Sequence, residues 1–280
     1  MFPRRSGPAR RAPAALLSAV LCTQLACTAV PTQALDPLLP PSDNFDLTHW
    51  KLTLPSGEEV APGVLSKGYT LPKVFYTHPV SGGMVFRCPN LAGTTPNSNY
   101  SRTELREMLD PDAGTHSDAN NWTSAIGGAM KARLKVDRVS TTGEDKKVGR
   151  VIIGQIHGPD TEPVRLYFHK KPGEARGRVY IASETMSGST SWSTDIVGNK
   201  DGNGIALGEL FTYVISLEGT RLEVEIRRQR GDFIDTYIKD IDPAYQGENL
   251  YFKAGVYNQN NTGSATDYAQ ATFYSLTHTH

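Results

Sequence analysis

Tyr251-Phe252-Lys253-Ala254-Gly255-Val256-Tyr257-Asn258-Gln259 is the stretch whose reading decides the fold class of this chain. Taken as a β-strand, its period of two puts Tyr251, Lys253, Gly255, Tyr257 and Gln259 on one face. Phe252, Ala254 and Val256 fall on the other, which suits a buried core. The first face carries an ammonium, two phenols and an amide. It is either a surface built to hold something polar and anionic, or a half-exposed strand whose tyrosines keep their hydroxyls in water.

Working outward, the flanking sequence repeats the strand pattern. Residues 148–157 are rich in Val and Ile, and 166–168, 178–181 and 211–217 read likewise. Arg221-Leu222-Glu223-Val224-Glu225-Ile226-Arg227 alternates apolar and charged residues without a break. Clusters such as Pro172-Gly173, Glu218-Gly219 and Arg230-Gly231-Asp232 separate the runs. Helical periodicity is weak, with at most a short turn at 242–245. A hydrophobic content of 38%, with 26 Gly and 18 Pro in 280 residues, agrees with a turn-rich all-β protein. This spacing predicts two antiparallel sheets, as a sandwich or a β-jelly roll. No internal repeat or linker divides residues 35–280, so one domain is expected there.

Residues 1–34 read as an export signal, which predicts a secreted protein, extracellular or periplasmic. Arg4, Arg5, Arg10 and Arg11 form a basic start, 14–29 is an apolar stretch, and Thr32-Gln33-Ala34 offers a small-x-small cleavage site. Leu25-Ala26-Cys27 leaves a lipid anchor on Cys27 as an alternative. Removing those 34 residues takes four arginines and no acid, leaving 25 basic against 29 acidic residues, a net charge of −4. A mildly acidic chain is a poor nucleic-acid binder, so an anionic ligand needs a local cluster of Arg and Lys. Beyond the signal, no apolar run reaches membrane-spanning length. Cys88 is the one cysteine outside the signal, so neither an internal disulfide nor a cysteine zinc site is expected.

Three stretches concentrate the chemistry. In Ser101-Arg102-Thr103-Glu104-Leu105-Arg106-Glu107, a strand puts Arg102, Glu104 and Arg106 on one face. Each guanidinium is a planar fork suited to a ligand carboxylate, and alone the run would equally be a solvated charge ladder. In Val151-Ile152-Ile153-Gly154-Gln155-Ile156-His157, Ile152, Gly154 and Ile156 are expected to share one face. Gln155 and His157 then continue the face of Val151 and Ile153. A neutral His157 can accept a proton, and Gln155 can donate to developing negative charge. The opening stretch adds Lys253 and Tyr257. Arg, Gln, His, Lys and Tyr together favour removing a proton beside a carboxylate. Arg102 and Gln155 would neutralise the carboxylate, His157 or Tyr257 would take the proton, and Tyr257 could protonate the departing oxygen.

The motifs Arg102-Thr103-Glu104-Leu105-Arg106-Glu107, Gln155-Ile156-His157 and the opening stretch resemble, in order, the three signatures of the alginate lyases of polysaccharide lyase family 7. The similarity spans roughly residues 45–275. It implies a jelly roll whose concave sheet forms a groove for an anionic polysaccharide, alginate, cut by β-elimination to 4,5-unsaturated oligosaccharides. It implies Arg102, Gln155, His157 and Tyr257 as the catalytic group, with Glu104, Arg106, Lys253 and Gln259 as substrate-binding residues. No catalytic metal and no cofactor are expected, and a stand-alone monomer acting inside the polymer is the expected form. Ile156, between Gln and His, tilts the expected preference towards guluronate-containing blocks. For guluronate, proton and leaving group lie on opposite faces of the ring, so His157 as base and Tyr257 as acid is the natural division. For mannuronate they lie on one face, and Tyr257 could do both jobs.

Two other classes remain in view. A binding module would need no His157 and Tyr257 together. A glycoside hydrolase needs two facing carboxyl groups, and Glu104 and Glu107 fall on opposite faces with no second acid on the other two strands. Residues 93–100 and 187–204, rich in Gly, Asn, Thr and Ser, are expected to be loops over the groove.

Overall fold

Alternation of apolar and polar residues is what sorts this chain into sheets. The protein's structure, a computed structural model, describes residues 34–229 and 232–280. The expected signal, Cys27 included, lies outside the described residues apart from Ala34. The strands of the first half are β1 (Trp50–Thr53), β2 (Glu59–Val60), β3 (Phe75–Thr77), β4 (Met84–Pro89), β5 (Arg102–Glu107), β6 (Gly128–Arg138) and β7 (Arg150–His157). Those of the second are β8 (Val164–His169), β9 (Arg178–Glu184), β10 (Thr190–Val197), β11 (Phe211–Glu218), β12 (Arg221–Arg228), β13 (Phe233–Asp240), β14 (Tyr251–Asn258) and β15 (Tyr268–Thr279). One sheet has the order β10-β9-β8-β7-β14-β5-β1-β2 and the other β13-β12-β11-β6-β15-β4-β3. The expected all-β jelly roll of two antiparallel sheets is what the chain forms. Its helical pieces are single turns, such as the four-residue helices Pro41–Asn44 and Pro62–Leu65 and the 3₁₀ turn Pro243–Tyr245.

The core lies between the sheets. On β11, Phe211, Tyr213, Ile215 and Leu217 point in, and on β12 Leu222, Val224 and Ile226 do the same. Aromatic pairs pack within this core, as where Phe86 meets Phe273 edge-on at 5.0 Å and Trp122 meets Phe252 at 4.9 Å. Each such side chain contributes about 1.5–3 kcal/mol through the apolar area it removes from water.

β14 arrives late in sequence yet pairs between β5 and β7, which brings the three motif strands side by side. Its pairing with β5 is regular, but its pairing with β7 is not. Ala254 faces Gly154 and Tyr257 faces Ile152, so Gly255 and Val256 stand opposite Ile153 alone. Against β8, too, the register skips Ile153. This bulge corrects the expected facing of β7. An inserted residue reverses the alternation beyond it. Ile152 therefore joins Gln155 and His157 on the outer face, while Val151, Ile153 and Ile156 pack in the core. Gly154 faces the core as well, against Tyr213.

The bulge is held from the opposite sheet. The Tyr213 hydroxyl, fully buried, donates to the Ile153 carbonyl at 2.9 Å. A Cβ on Gly154 would stand 2.8 Å from that hydroxyl oxygen, so only glycine leaves room for it. Gly255 has φ +145°, and its Cβ would lie 2.6 Å from the Thr103 carbonyl oxygen. Tyr213→Phe strands a buried carbonyl and is expected to destabilise the protein by about 1–3 kcal/mol. Denaturant midpoints check this; an unchanged midpoint would mean that the bulge needs no such clamp.

Residues 187–204 differ from the expected loop. Thr190–Val197 forms β10, the edge of the cleft-bearing sheet, paired with β9 from Glu184 to Val179. Its Ser and Thr alternate with Trp192 and Ile196 on a strand largely open to water, and an edge strand buries little enough to be built from polar residues. Residues 93–100 are a loop, as expected, beside the cleft described next.

Candidate active site

The outer face of the eight-stranded sheet carries a cleft of about 280 Å³ over β5, β14 and β7. Arg102 and Arg106 from β5, Lys253 and Tyr257 from β14, and His157 from β7 line it. These are the positions that alternation assigns to the outer face. Glu104 and Gln155 lie beneath this lining, each fully buried. Gln259, past the end of β14, is not among the lining residues. Its backbone N–H bonds the Arg150 carbonyl and its side-chain nitrogen is buried without a partner.

Glu104 organises the floor. One carboxylate oxygen receives Lys253 Nζ at 2.8 Å and Arg102 Nη1 at 3.3 Å, and the other accepts Gln155 Nε2 at 2.5 Å. A buried carboxylate is tolerated because its oxygens are met by cations and an amide. Glu107, three residues on, points to the other side of the sheet. It accepts from the Trp122 indole at 2.8 Å and the Phe252 backbone at 3.0 Å.

His157 is held in one tautomer. Its Nδ1 lies 2.5 Å from the Gly158 carbonyl, which can only accept, so Nδ1 carries the proton and Nε2 is the free base. Burial, with the Lys253, Arg102 and Arg106 cations, pulls its pKa down to about 3, so the ring is neutral at physiological pH. The ring stacks on Tyr251, with 5.0 Å between centroids and 9° between planes, and the Arg106 guanidinium also lies over the Tyr251 ring, 3.9 Å from its centroid. Arg106 itself is tied to the Asn120 carbonyl at 3.2 Å and to Asn121 Oδ1.

The Tyr257 hydroxyl lies 2.8 Å from Ser98 Oγ, and that Oγ donates to the Tyr100 carbonyl at 2.9 Å. With the serine proton committed there, Tyr257 is the donor to Ser98. The Arg102 guanidinium stacks 3.8 Å over the phenol ring. Burial outweighs Arg102 and raises the Tyr257 pKa, so the phenol keeps its proton. Lys253, buried and close to Arg102, is pulled down to about 8 although Glu104 opposes this.

Sequence reasoning missed several neighbours. Ser98, Thr95 and Asn97 come from loop 93–100, where no periodicity marks a side chain's direction. Asp160 and Glu162 follow β7, and Glu59 lies on β2 with Lys51 bonded to it at 2.8 Å. The other two motif strands bring no second acid to the front, as expected, and the further acids of the cleft come from outside the three motif strands. Among the described residues, no group of three or more His, Cys, Asp or Glu is placed to hold a metal ion.

The arrangement of a neutral imidazole, a protonated phenol and a cation cluster on a groove floor is suited to proton abstraction beside a carboxylate. Comparison with known proteins agrees with that chemistry. The family model described as alginate lyase matches residues 45–280. An alginate lyase of Klebsiella pneumoniae is 39% identical over 293 residues, covering 90% of this chain and 94% of the relative. The crystal structure of an alginate lyase from Klebsiella pneumoniae superposes with a TM-score of 0.79 at 38% identity, covering 86% of this chain and 98% of that one. Alginate lyase A1-II′, a member of polysaccharide lyase family 7, gives 0.70 at 33% identity, with 86% and 98% covered. Because the matched residues build both sheets and the whole cleft, the chain belongs to the alginate lyases of polysaccharide lyase family 7.

Proposed function

We propose that this lyase cuts inside the alginate chain, prefers guluronate-containing blocks, and uses His157 as base and Tyr257 as acid. The observation that carries the reading is the neutral His157, its Nε2 free, in one cleft with a protonated Tyr257 and the Arg102–Glu104–Lys253 cluster. Arg102 neutralises the uronate carboxylate, which acidifies the neighbouring carbon, while Gln155, beneath the lining, donates to the Glu104 carboxylate that holds Arg102. His157 Nε2 removes the proton from that carbon, and the electron pair moves into the carboxylate system as an enolate. The pair then forms the new double bond as the glycosidic oxygen leaves with the Tyr257 proton. Having base and acid on two strands supports anti elimination, hence guluronate. Glu104, completely buried, acts by holding Arg102, Gln155 and Lys253 rather than by touching sugar.

A long floor supports internal cutting. The cleft lining reaches β1 and β2 on one side, and on the other the sheet continues past it through β8 to β10. On the latter side Tyr167 and Tyr180 stack in parallel at 4.5 Å with Arg178 over Tyr180. Structures of alginate lyase A1-II′ with a product (GGG) and with a substrate (GGMG) support an oligosaccharide as the ligand of such a floor. The basic, apolar start of the sequence supports export, which mass measurement of the mature protein tests. Ultraviolet absorbance on guluronate-rich and mannuronate-rich blocks, read together with viscosity, tests the rest. A viscosity that falls only in step with double-bond formation, or faster elimination on mannuronate-rich blocks, would overturn those parts.

Lys253 gives a pH expectation. With its pKa near 8, the cleft loses a positive charge above that pH, so kcat/KM is expected to fall on an alkaline limb near 8. Lys253→Arg, which stays charged, should move that limb upward. Unfolding is not its cause. Between about 8 and 10.4 the unfolded chain binds the proton that the folded lysine has lost, so this group's contribution to stability rises with pH there. A limb that stays put in Lys253→Arg would assign it elsewhere.

A further inference from the structure

We propose that Glu162 is a relay residue acting through His157: its carboxylate takes from Nε2 the proton that the base removes and passes it to solvent. The inference rests on His157 being the base. Glu162 Oε1 lies 3.4 Å from His157 Nε2, the one ring nitrogen free to receive a proton. An imidazolium here would be crowded by Lys253, Arg102 and Arg106, so a proton arriving on Nε2 has a strong reason to move on. Glu162 is the adjacent acceptor, and its side chain keeps about 20% of its surface open, a route out to water.

The carboxylate is fixed rather than loosely placed. The Glu162 backbone N–H donates to Glu184 Oε2 at 3.2 Å, and its carbonyl accepts from the Glu184 N–H at 3.1 Å. Thr161, next in the chain, is tied to the Tyr245 hydroxyl at 2.6 Å, and Gly158 N–H closes the turn on the Thr161 carbonyl at 2.8 Å. Arg165 bridges the two acids, 2.6 Å from Glu184 and 3.8 Å from Glu162. One guanidinium cannot neutralise two carboxylates, and Lys253 is committed to Glu104. Burial and the Glu184 carboxyl accordingly push Glu162 up to about 7 against the pull of Arg165. Ionised, it can receive the proton from Nε2. Protonated, it can only donate to that nitrogen and occupy the base.

The proton balance closes over one turnover. A C–H bond of the sugar breaks as N–H forms on His157, and that N–H breaks as O–H forms on Glu162. The acid then releases the proton to water while the Tyr257 phenolate takes one up.

Glu162→Gln keeps shape but cannot ionise. On guluronate-rich alginate it is expected to lower kcat about ten- to a hundredfold with KM little changed, and to abolish the acid limb of kcat near pH 7. In Glu162→Ala, added formate should restore part of kcat in proportion to its concentration. A purely structural role would leave the limb in place and formate without effect, and either result overturns the relay. Should Glu162→Gln fail to fold, Glu162→Asp decides by the same limb, which must shift rather than stay. His157→Ala separates the two layers. If it stays active, the base assignment itself fails; if it is inactive while Glu162→Gln behaves like the natural protein, only the relay fails.

Discussion

Tyr257→Phe should lower turnover by about 10²–10⁴-fold on guluronate-rich and mannuronate-rich alginate alike, the range that a positioned acid or base supplies. The ring survives the change, so Arg102 keeps its stacking partner at 3.8 Å and the cleft keeps its shape. Only the hydroxyl and its bond to Ser98 are lost. Binding should therefore persist while kcat collapses. His157→Ala should differ, with a loss of the same order on guluronate-rich blocks and a smaller one on mannuronate-rich blocks. There, proton and leaving group share a face, and one phenol can serve both steps. Initial rates of absorbance on the two block types, with calorimetric binding to the inactive variants, test the division of labour. Equal losses for His157→Ala on both blocks would remove it. A Tyr257→Phe rate within tenfold of the natural protein would remove the phenol as the acid.

The residues of that experiment were legible because a strand's period is two. Arg102, Glu104 and Arg106 do share a face, as do Tyr251, Lys253 and Tyr257, and no tertiary knowledge was needed to pair them with a polar ligand. Depth was not legible. Alternation says which side of a sheet a residue takes, not how much is stacked over it, so Glu104 and Gln155 looked like groove lining and are fully buried under it. Gln259 continues the numbering of the front face but lies past the end of β14, where the period no longer applies.

β7 failed for a different reason. Its bulge at Ile153 depends on the Tyr213 hydroxyl and on the missing Cβ of Gly154, which are facts of the opposite sheet. A glycine in a very apolar strand was the only local trace of it. Loops were least legible. Ser98 and Glu162 reach the cleft through turns whose direction is set by single contacts, such as Gly158 N–H to the Thr161 carbonyl, and no periodicity announces them. Residues 190–197 show the converse, where a serine- and threonine-rich composition hid a strand that its pairing with β9 defines.

Glu104→Ala is expected to destabilise the protein by about 3–5 kcal/mol, the loss seen when one partner of a buried ion pair is removed. Arg102 and Lys253 would keep their burial and lose their anion, and the Gln155 amide would lose its acceptor. The isosteric Glu104→Gln is the sharper probe, because it keeps the volume and removes only the charge. Glu104 is what holds the Lys253 pKa up against burial and Arg102. Without that charge the lysine should release its proton below pH 8, and the alkaline limb of kcat/KM should move downward with it. Denaturant midpoints and the pH profile of the same two variants separate the contributions. A midpoint that falls while the limb stays put would make Glu104 a purely structural anion. Adding Lys253→Met to Glu104→Gln should recover part of the lost stability without recovering activity, because an uncompensated buried ammonium is removed along with the contact it offers the uronate. If stability did not recover, the cost would lie with Arg102, which has no other carboxylate partner within ion-pair distance among the described residues.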